Sequence, residues 1–349
     1  MAISRALDLP ARDGFSARLL GLVGVLVLAN LLMWAWAATA FAGRPVLMGM
    51  AALAFTLGLR HALDADHIAA IDNVTRKQMQ SGKRPIAVGL FFALGHSAVV
   101  LIASMAVAFT TRSFAEQFAL YREIGGGLGT SVSALFLLVI AVANLGVLVA
   151  VLRALRQSKR GQVLRDEDVD AILMGRGFLV RLLAPVFRLV SKSWHLFPIG
   201  FLFALGFETA SEVSLFGLAA GASSDVSGWT IMIFPLLFTA GMTLLDTVDG
   251  ILMLGAYGWA YRRPERKLVY NLTVTSLSIL VAFVVGGIEV LGLIGQRLQL
   301  GNGFWDSVAG LNASFGVLGV AIVALFAVSW AASVTLFYVR RRDRIGETV

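Results

Sequence analysis

The sequence predicts an all-α, polytopic integral membrane protein with eight transmembrane helices and both termini in the cytoplasm. Three observations predict this. Of 349 residues, 58% are hydrophobic and only 14% are Asp, Glu, Lys or Arg, against about 25% charged in soluble domains. The apolar residues gather in runs of about 20 or more, the length a helix needs to cross the hydrocarbon at 1.5 Å per residue. The lysines and arginines also fall on alternate sides of successive runs. Lipid offers the backbone no hydrogen bonds, so such runs must be helices. The short alternating segments of a membrane β-barrel are not visible in this sequence.

The eight segments are 19–41, 46–73, 85–109, 124–152, 198–220, 229–259, 269–297 and 311–339. Arg18 precedes the first in the manner of a signal peptide. Its apolar run of about 23 residues is longer than a signal core, so it is read as a retained span. The second carries two histidines and two aspartates, His61, Asp64, Asp66 and His67, and ends on Asp72 and Asn73. The third has His96 about midway, and the fourth has Asn144. Asn73 and Asn144 are read as groups that hydrogen-bond between helices. A basic linker, 153–197, follows; within it 178–190 reads as an amphipathic segment on the membrane surface, bent by Pro185. Close to the fifth span, His195 adjoins Trp194 and is read as an interfacial anchor. The fifth span brings Glu208 and Glu212, and the sixth Asp246 and Asp249. Glu289, in the seventh, and Asp72 are read as lying near an interface where water reaches them, outside the candidate site. The eighth adds no acid or histidine. Several segments exceed the minimum length and either tilt or extend beyond the lipid. The whole chain, 1–349, is read as one transport domain, with a cytoplasmic N-terminus (1–18) and tail (340–349).

Orientation follows from the basic residues. Twenty-four lie in the N-terminus, the second-to-third connection, the linker, the sixth-to-seventh connection and the tail. The opposite side receives only Arg44, Arg112, Arg122 and Arg297, and Arg60 lies inside a span. The positive-inside rule puts the rich side in the cytoplasm. An odd number of spans would break the alternation. The formal charge of +8 is thus explained by topology, without nucleic acid. The sequence has no cysteine, which excludes disulfides, thiolate metal sites and cysteine nucleophiles.

Six acids within the spans, Asp64, Asp66, Glu208, Glu212, Asp246 and Asp249, would together cost about 15–20 kcal/mol if left uncompensated near the bilayer centre. Arg60 is the one clear basic residue among them, so a bound cation or protons must neutralise the rest. Imidazole beside carboxylate suits Ni, Co, Zn or Fe, whereas Mg and Ca prefer oxygen alone. Along a regular helix, with His61 at 0°, Asp64 falls at about 300°, His67 at about 240° and Asp66 at about 140°. His61, Asp64 and His67 are therefore expected on one stripe, with Asp66 on a different face, where it either orients a ligand or faces another helix. Glu208 with Glu212, and Asp246 with Asp249, each share one face of their helices.

These residues resemble the nickel/cobalt transporter (NiCoT) family along nearly the whole chain. The family's second-span signature, His-x4-Asp-His, is similar to Arg60-His61-Ala62-Leu63-Asp64-Ala65-Asp66-His67-Ile68. Three further signatures resemble Phe91-Phe92-Ala93-Leu94-Gly95-His96-Ser97, then Leu205-Gly206-Phe207-Glu208-Thr209-Ala210-Ser211-Glu212, then Gly241-Met242 followed by Asp246-Thr247-Val248-Asp249-Gly250. Glu208 stands where the family usually has Asp, Ser211 where Thr is common, and Ala98 where Thr is usual. The resemblance implies high-affinity uptake of Ni2+ or Co2+, with the His-x4-Asp-His helix essential and the metal as substrate rather than cofactor. The candidate metal residues are His61, Asp64, Asp66, His67, His96, Glu208, Glu212, Asp246 and Asp249.

The expected function is secondary transport of nickel or cobalt across the inner (plasma) membrane, with export of the same metals as the alternative. No Gly-x4-Gly-Lys-Ser/Thr loop for ATP is present. The longest linker, about 45 residues, is too short for the soluble domain of a P-type pump. An enzyme is not expected: His-Glu-x2-His is missing, and four histidines are too few for a di-iron oxygenase. The expected partners are the divalent ion and membrane lipid.

Overall fold

The computed structural model describes residues 14–109, 112–159, 190–205, 228–260 and 264–329, and every regular element among them is helical. These are α1 (Phe15–Ala40), α2 (Pro45–His61), α3 (Ala65–Gln80), α4 (Val88–Phe109) and α5 (Arg112–Lys159). A 3-10 turn at Ser193–His195 leads into α6 (Leu196–Phe203), and α7 (Gly228–Ile231) runs into α8 (Ile233–Ala260). The remainder are α9 (Pro264–Arg297), α10 (Gly303–Asn312) and α11 (Phe315–Ser329).

Five stretches are long and apolar enough to cross a membrane unbroken: Phe15–Ala40, Val88–Ala106, Gly126–Gly146, Trp229–Gly258 and Thr275–Arg297. Two bent pairs raise the number to as many as seven among the described residues: α2 with α3, bent by 53°, and α10 with α11, bent by 68°. Here the structure corrects the sequence reading, which treats the second and eighth spans as single helices. Each is interrupted, and the last begins with α10, earlier than residue 311. Of the fifth expected span, 198–220, only the first part falls among the described residues. Glu208 and Glu212 lie outside them, as do most of the linker's surface segment, residues 1–13 and the tail.

The centre of the bundle is α8, which packs on α1, α2, α3 and α4; α9 packs along α5, and α6 on α4. Aliphatic side chains such as Leu28, Val46, Leu135 and Val317 face outward, an exposure that lipid rather than water would cover. Helices that cannot gain from burying oil against oil associate through close backbone approach at small residues. Gly58 and Gly241 supply this between α2 and α8. A methyl group on Gly58 would overlap the Phe238 carbonyl, and one on Gly241 would lie 2.5 Å from the Phe55 carbonyl oxygen. Gly58→Leu is accordingly expected to cost at least about 1–3 kcal/mol through overpacking. It should appear as a lower melting temperature in detergent. Gly49→Leu, on the same helix with nothing within 4 Å of its added Cβ, should melt like the parent.

Candidate metal site

The site is built on the interruption between α2 and α3. The α2 helix ends at His61, and α3 starts after Asp64, whose extended backbone (φ −67°, ψ 144°) makes it the N-cap residue. Asp is a favoured residue there. The intervening turn closes through Leu63 N–H to the Arg60 carbonyl and Asp64 N–H to the His61 carbonyl, both 3.0 Å. The break therefore leaves few backbone groups unsatisfied. It also points a helix N-terminus, with its partial positive charge, at a region rich in carboxylates. Asp66 sits in that first turn and accepts the His67 backbone N–H at 3.0 Å.

The kink redirects the side chains. His61, from the end of α2, and His67, from the first turn of α3, both turn toward His96 of α4. The three rings are buried, with centroids 4.7–4.8 Å apart. One ligand nitrogen from each can be chosen so that all lie within 4.8 Å of one another. His61 Nε2 and His96 Nε2 are 3.0 Å apart. Imidazole nitrogens bind such metals at about 2.0–2.1 Å, so two at right angles on one ion would sit about 2.9 Å apart. Tetragonal N,O coordination is a geometry of Cu2+ and Ni2+.

Carboxylates engage the far sides of two rings. Asp64 Oδ2 lies 3.1 Å from His61 Nδ1, and Asp246 Oδ2, from α8, lies 3.3 Å from His67 Nδ1. The contact of His67 with Asp246 is a hydrogen bond, and an Nδ1–H held in this way fixes the tautomer in which Nε2 carries the lone pair, the usual arrangement of a metal-binding histidine. Asp64 and Asp246 are buried, and Asp246 Oδ1 has no hydrogen-bond partner among the described residues. Asp249 lies about one turn along α8 from Asp246.

The expected division of the second span changes with the break. His61, Asp64 and His67 converge because the helix is interrupted, not because a regular helix aligns them. Asp66 does not face a separate helix surface; with His61 and His96 it lines a cavity of 540 Å3. That cavity runs between α5, α9 and α10, past Ser133 and Glu289, to Gln296, Trp305 and Asp306 at the end of the bundle. His195 packs edge-on against Trp194 and is not one of the clustered histidines.

Three charged residues escaped the sequence reading. Glu289 is buried and accepts a 2.7 Å hydrogen bond from Ser133 Oγ. Asp72 is buried and accepts hydrogen bonds from Tyr257 Oη and from Ser278 Oγ. The sequence alone places both near a solvated interface. Arg76, counted with the basic connection, lies inside the bundle and donates to Thr275 Oγ1 at 2.9 Å and to Asn73 Oδ1 at 3.0 Å. Asn144 Nδ2 also donates to Asn73 Oδ1, at 2.7 Å, the interhelical role expected of both asparagines. A polar network thus ties α3 to α5, α8 and α9 on the far side of the histidines from the cavity.

Residues 47–336 match the family model described as NicO, high-affinity nickel-transport protein. The chain belongs to that family. The resemblance carried by the four motifs is thereby established, and all four fall within the matched residues. A high-affinity nickel transport protein of Cupriavidus necator is 49% identical over 328 residues, covering 94% of this chain and 93% of that protein. The high-affinity nickel-transport protein NixA of Helicobacter pylori is 41% identical over 295 residues, covering 83% and 88%. The cobalt transport protein NhlF of Rhodococcus rhodochrous is 37% identical over 324 residues, covering 90% and 91%. No solved structure matches the chain. Family membership and the apolar helices together make this a multi-pass membrane protein of a transport family, a non-enzymatic role.

Proposed function

We propose that this protein is a secondary transporter that takes up Ni2+ or Co2+ across the inner (plasma) membrane through a central site. The observation that carries this is the meeting of three buried imidazoles from α2, α3 and α4, two of them on carboxylates. His61, His67 and His96 supply nitrogen ligands. Asp64 and Asp246 orient two of the rings and balance the ion's charge. Asp66 extends the carboxylates into the cavity, Asp249 follows Asp246 on α8, and Glu208 and Glu212, candidate metal residues by sequence, lie outside the described residues.

We read eight crossings, counting 198–220 from the sequence as one of them, with the termini and the basic connections in the cytoplasm. The cavity mouth at Gln296 and Asp306 then faces outside. The network of Asp72, Asn73, Arg76 and Asn144 closes the cytoplasmic side, so this conformation is open outward. An ion enters, exchanges water for imidazole and carboxylate, and leaves inward when that network parts. The membrane potential favours inward movement of two charges by about 4.6 kcal/mol per 100 mV.

Uptake of radioactive nickel, with cobalt as competitor, by cells making the protein tests the reading directly. Cell-associated metal should rise; a fall would make the protein an exporter. Outward access has its own test, because the sequence has no cysteine and one introduced thiol is unique. Thr130→Cys, on the cavity wall, should react with a membrane-impermeant thiol reagent added outside, and Ni2+ should slow that reaction. Labelling only from the cytoplasmic side would reverse the proposed orientation.

A further inference from the structure

We propose that Glu289 is a second cation ligand, a carboxylate on the cavity wall that takes the entering divalent ion before the histidines do. The inference rests on reading the cavity as the entry route. Gln296, Gly292 and Glu289 lie at seven- and three-residue spacing on α9 and all line the cavity, so one helix face forms its wall. Seven residues place Glu289 about 10 Å deeper than Gln296. Its neighbours Val285 and Ile288 belong to the apolar core. A carboxylate in such a position costs about 2.5–3.5 kcal/mol on insertion scales, a penalty that a passing cation relieves.

The surroundings are arranged for a ligand. Ser133 Oγ, also on the cavity wall, holds Glu289 Oε1 at 2.7 Å. At Gly292, a Cβ would lie 2.9 Å from the Asn312 side-chain amide. The glycine therefore lets that amide stand beside α9, one turn above the carboxylate. Going inward, the groups change from exposed Asp306, through buried Glu289, to Asp66 and the imidazoles. Oxygen ligands suit a cation that still carries water, and nitrogen ligands select a transition metal. Glu289 would thus concentrate and partly dehydrate divalent ions, while the histidines discriminate among them.

The test uses the full-length protein in cells, with radioactive Ni2+ as the probe. Glu289→Gln keeps the size and an acceptor for Ser133 but removes the charge. It should raise the KM for nickel uptake tenfold or more, with Glu289→Asp partly restoring it and Ser133→Ala raising it by a smaller factor. A second reading uses Thr130→Cys as background. Glu289→Gln should leave the labelling rate without metal unchanged and raise tenfold the Ni2+ concentration that protects. An unchanged KM and protection curve would overturn the proposal. So would a loss of labelling without metal, which would give Glu289 a purely structural role. If His96→Ala also transports like the parent, the fault lies with the central site; if only Glu289→Gln does, it lies with Glu289.

Discussion

Replacing His96 with alanine is expected to abolish high-affinity nickel uptake, with metal affinity falling by at least about 100-fold. Loss of a residue that merely orients a ligand costs about 10–100-fold, and His96 is proposed as a ligand itself. It is one of three imidazoles that meet, and it is the one that α4 contributes. Its removal leaves His61 Nε2 facing a gap where a nitrogen had stood at 3.0 Å, so two histidines must hold the ion. His61→Ala and His67→Ala should fall equally far. His195→Ala should transport like the parent, since that ring stands against Trp194 in the 3-10 turn. Initial uptake rates at low nickel concentration, normalised to the amount of protein in the membrane, decide the matter. Calorimetric nickel binding to the purified protein separates lost affinity from lost movement. Normal uptake by properly inserted His96→Ala would dispose of the central site. Acid should act in the same direction, because a proton on any of the three rings competes with the metal. Apparent affinity is expected to fall as external pH is lowered and to recover when it is raised.

Most of the architecture was legible because lipid imposes it. Run length needs no knowledge of contacts. The interruption in the second span was not read, although a signal was present. Between Arg60 and His67 there is no glycine or proline, the usual marks of a broken helix. Asp64, however, is a good N-cap residue inside an apolar run, and an N-cap implies a new start. The second interruption stays hidden because it falls at residues 313–314, at the very start of the segment read from 311, yet the two belong together. A Cβ on Gly319 of α11 would overlap the Leu63 carbonyl, and one on Gly316 would lie 3.2 Å from Asp64 Oδ1. The broken backbone of one span is thus seated on the glycines of the other. Discontinuous helices of this kind mark substrate sites near the membrane midplane in many transporters. Asp72, Arg76 and Glu289 were misread for a different reason. Their partners Tyr257, Ser278, Thr275 and Ser133 lie 156 to 206 residues away in the chain. Hydropathy along a single helix carries no trace of such pairing.

Asp246→Asn is the other large effect expected, a loss of about 10–100-fold in nickel affinity with every imidazole still in place. The carboxylate accepts the Nδ1–H of His67 at 3.3 Å and so keeps Nε2 unprotonated for the metal. Asparagine is neutral, and its amide can turn to donate to Nδ1, which stabilises the tautomer with the proton on Nε2. Both changes weaken His67 as a ligand. Asp64→Asn should also weaken His61, by removing the negative charge that lies 3.1 Å from its Nδ1. Double mutants distinguish orientation from direct ligation, because groups that act through one another have non-additive costs. Once His67 is alanine, Asp246→Asn should cost little more, as there is no ring left to orient. Asp64→Asn in the same background should still cost its full amount, since His61 remains. If Asp246→Asn costs as much without His67 as with it, the carboxylate acts on the ion directly. The ligand set would then be three imidazoles and an oxygen from α8, making α8 a direct participant in capture.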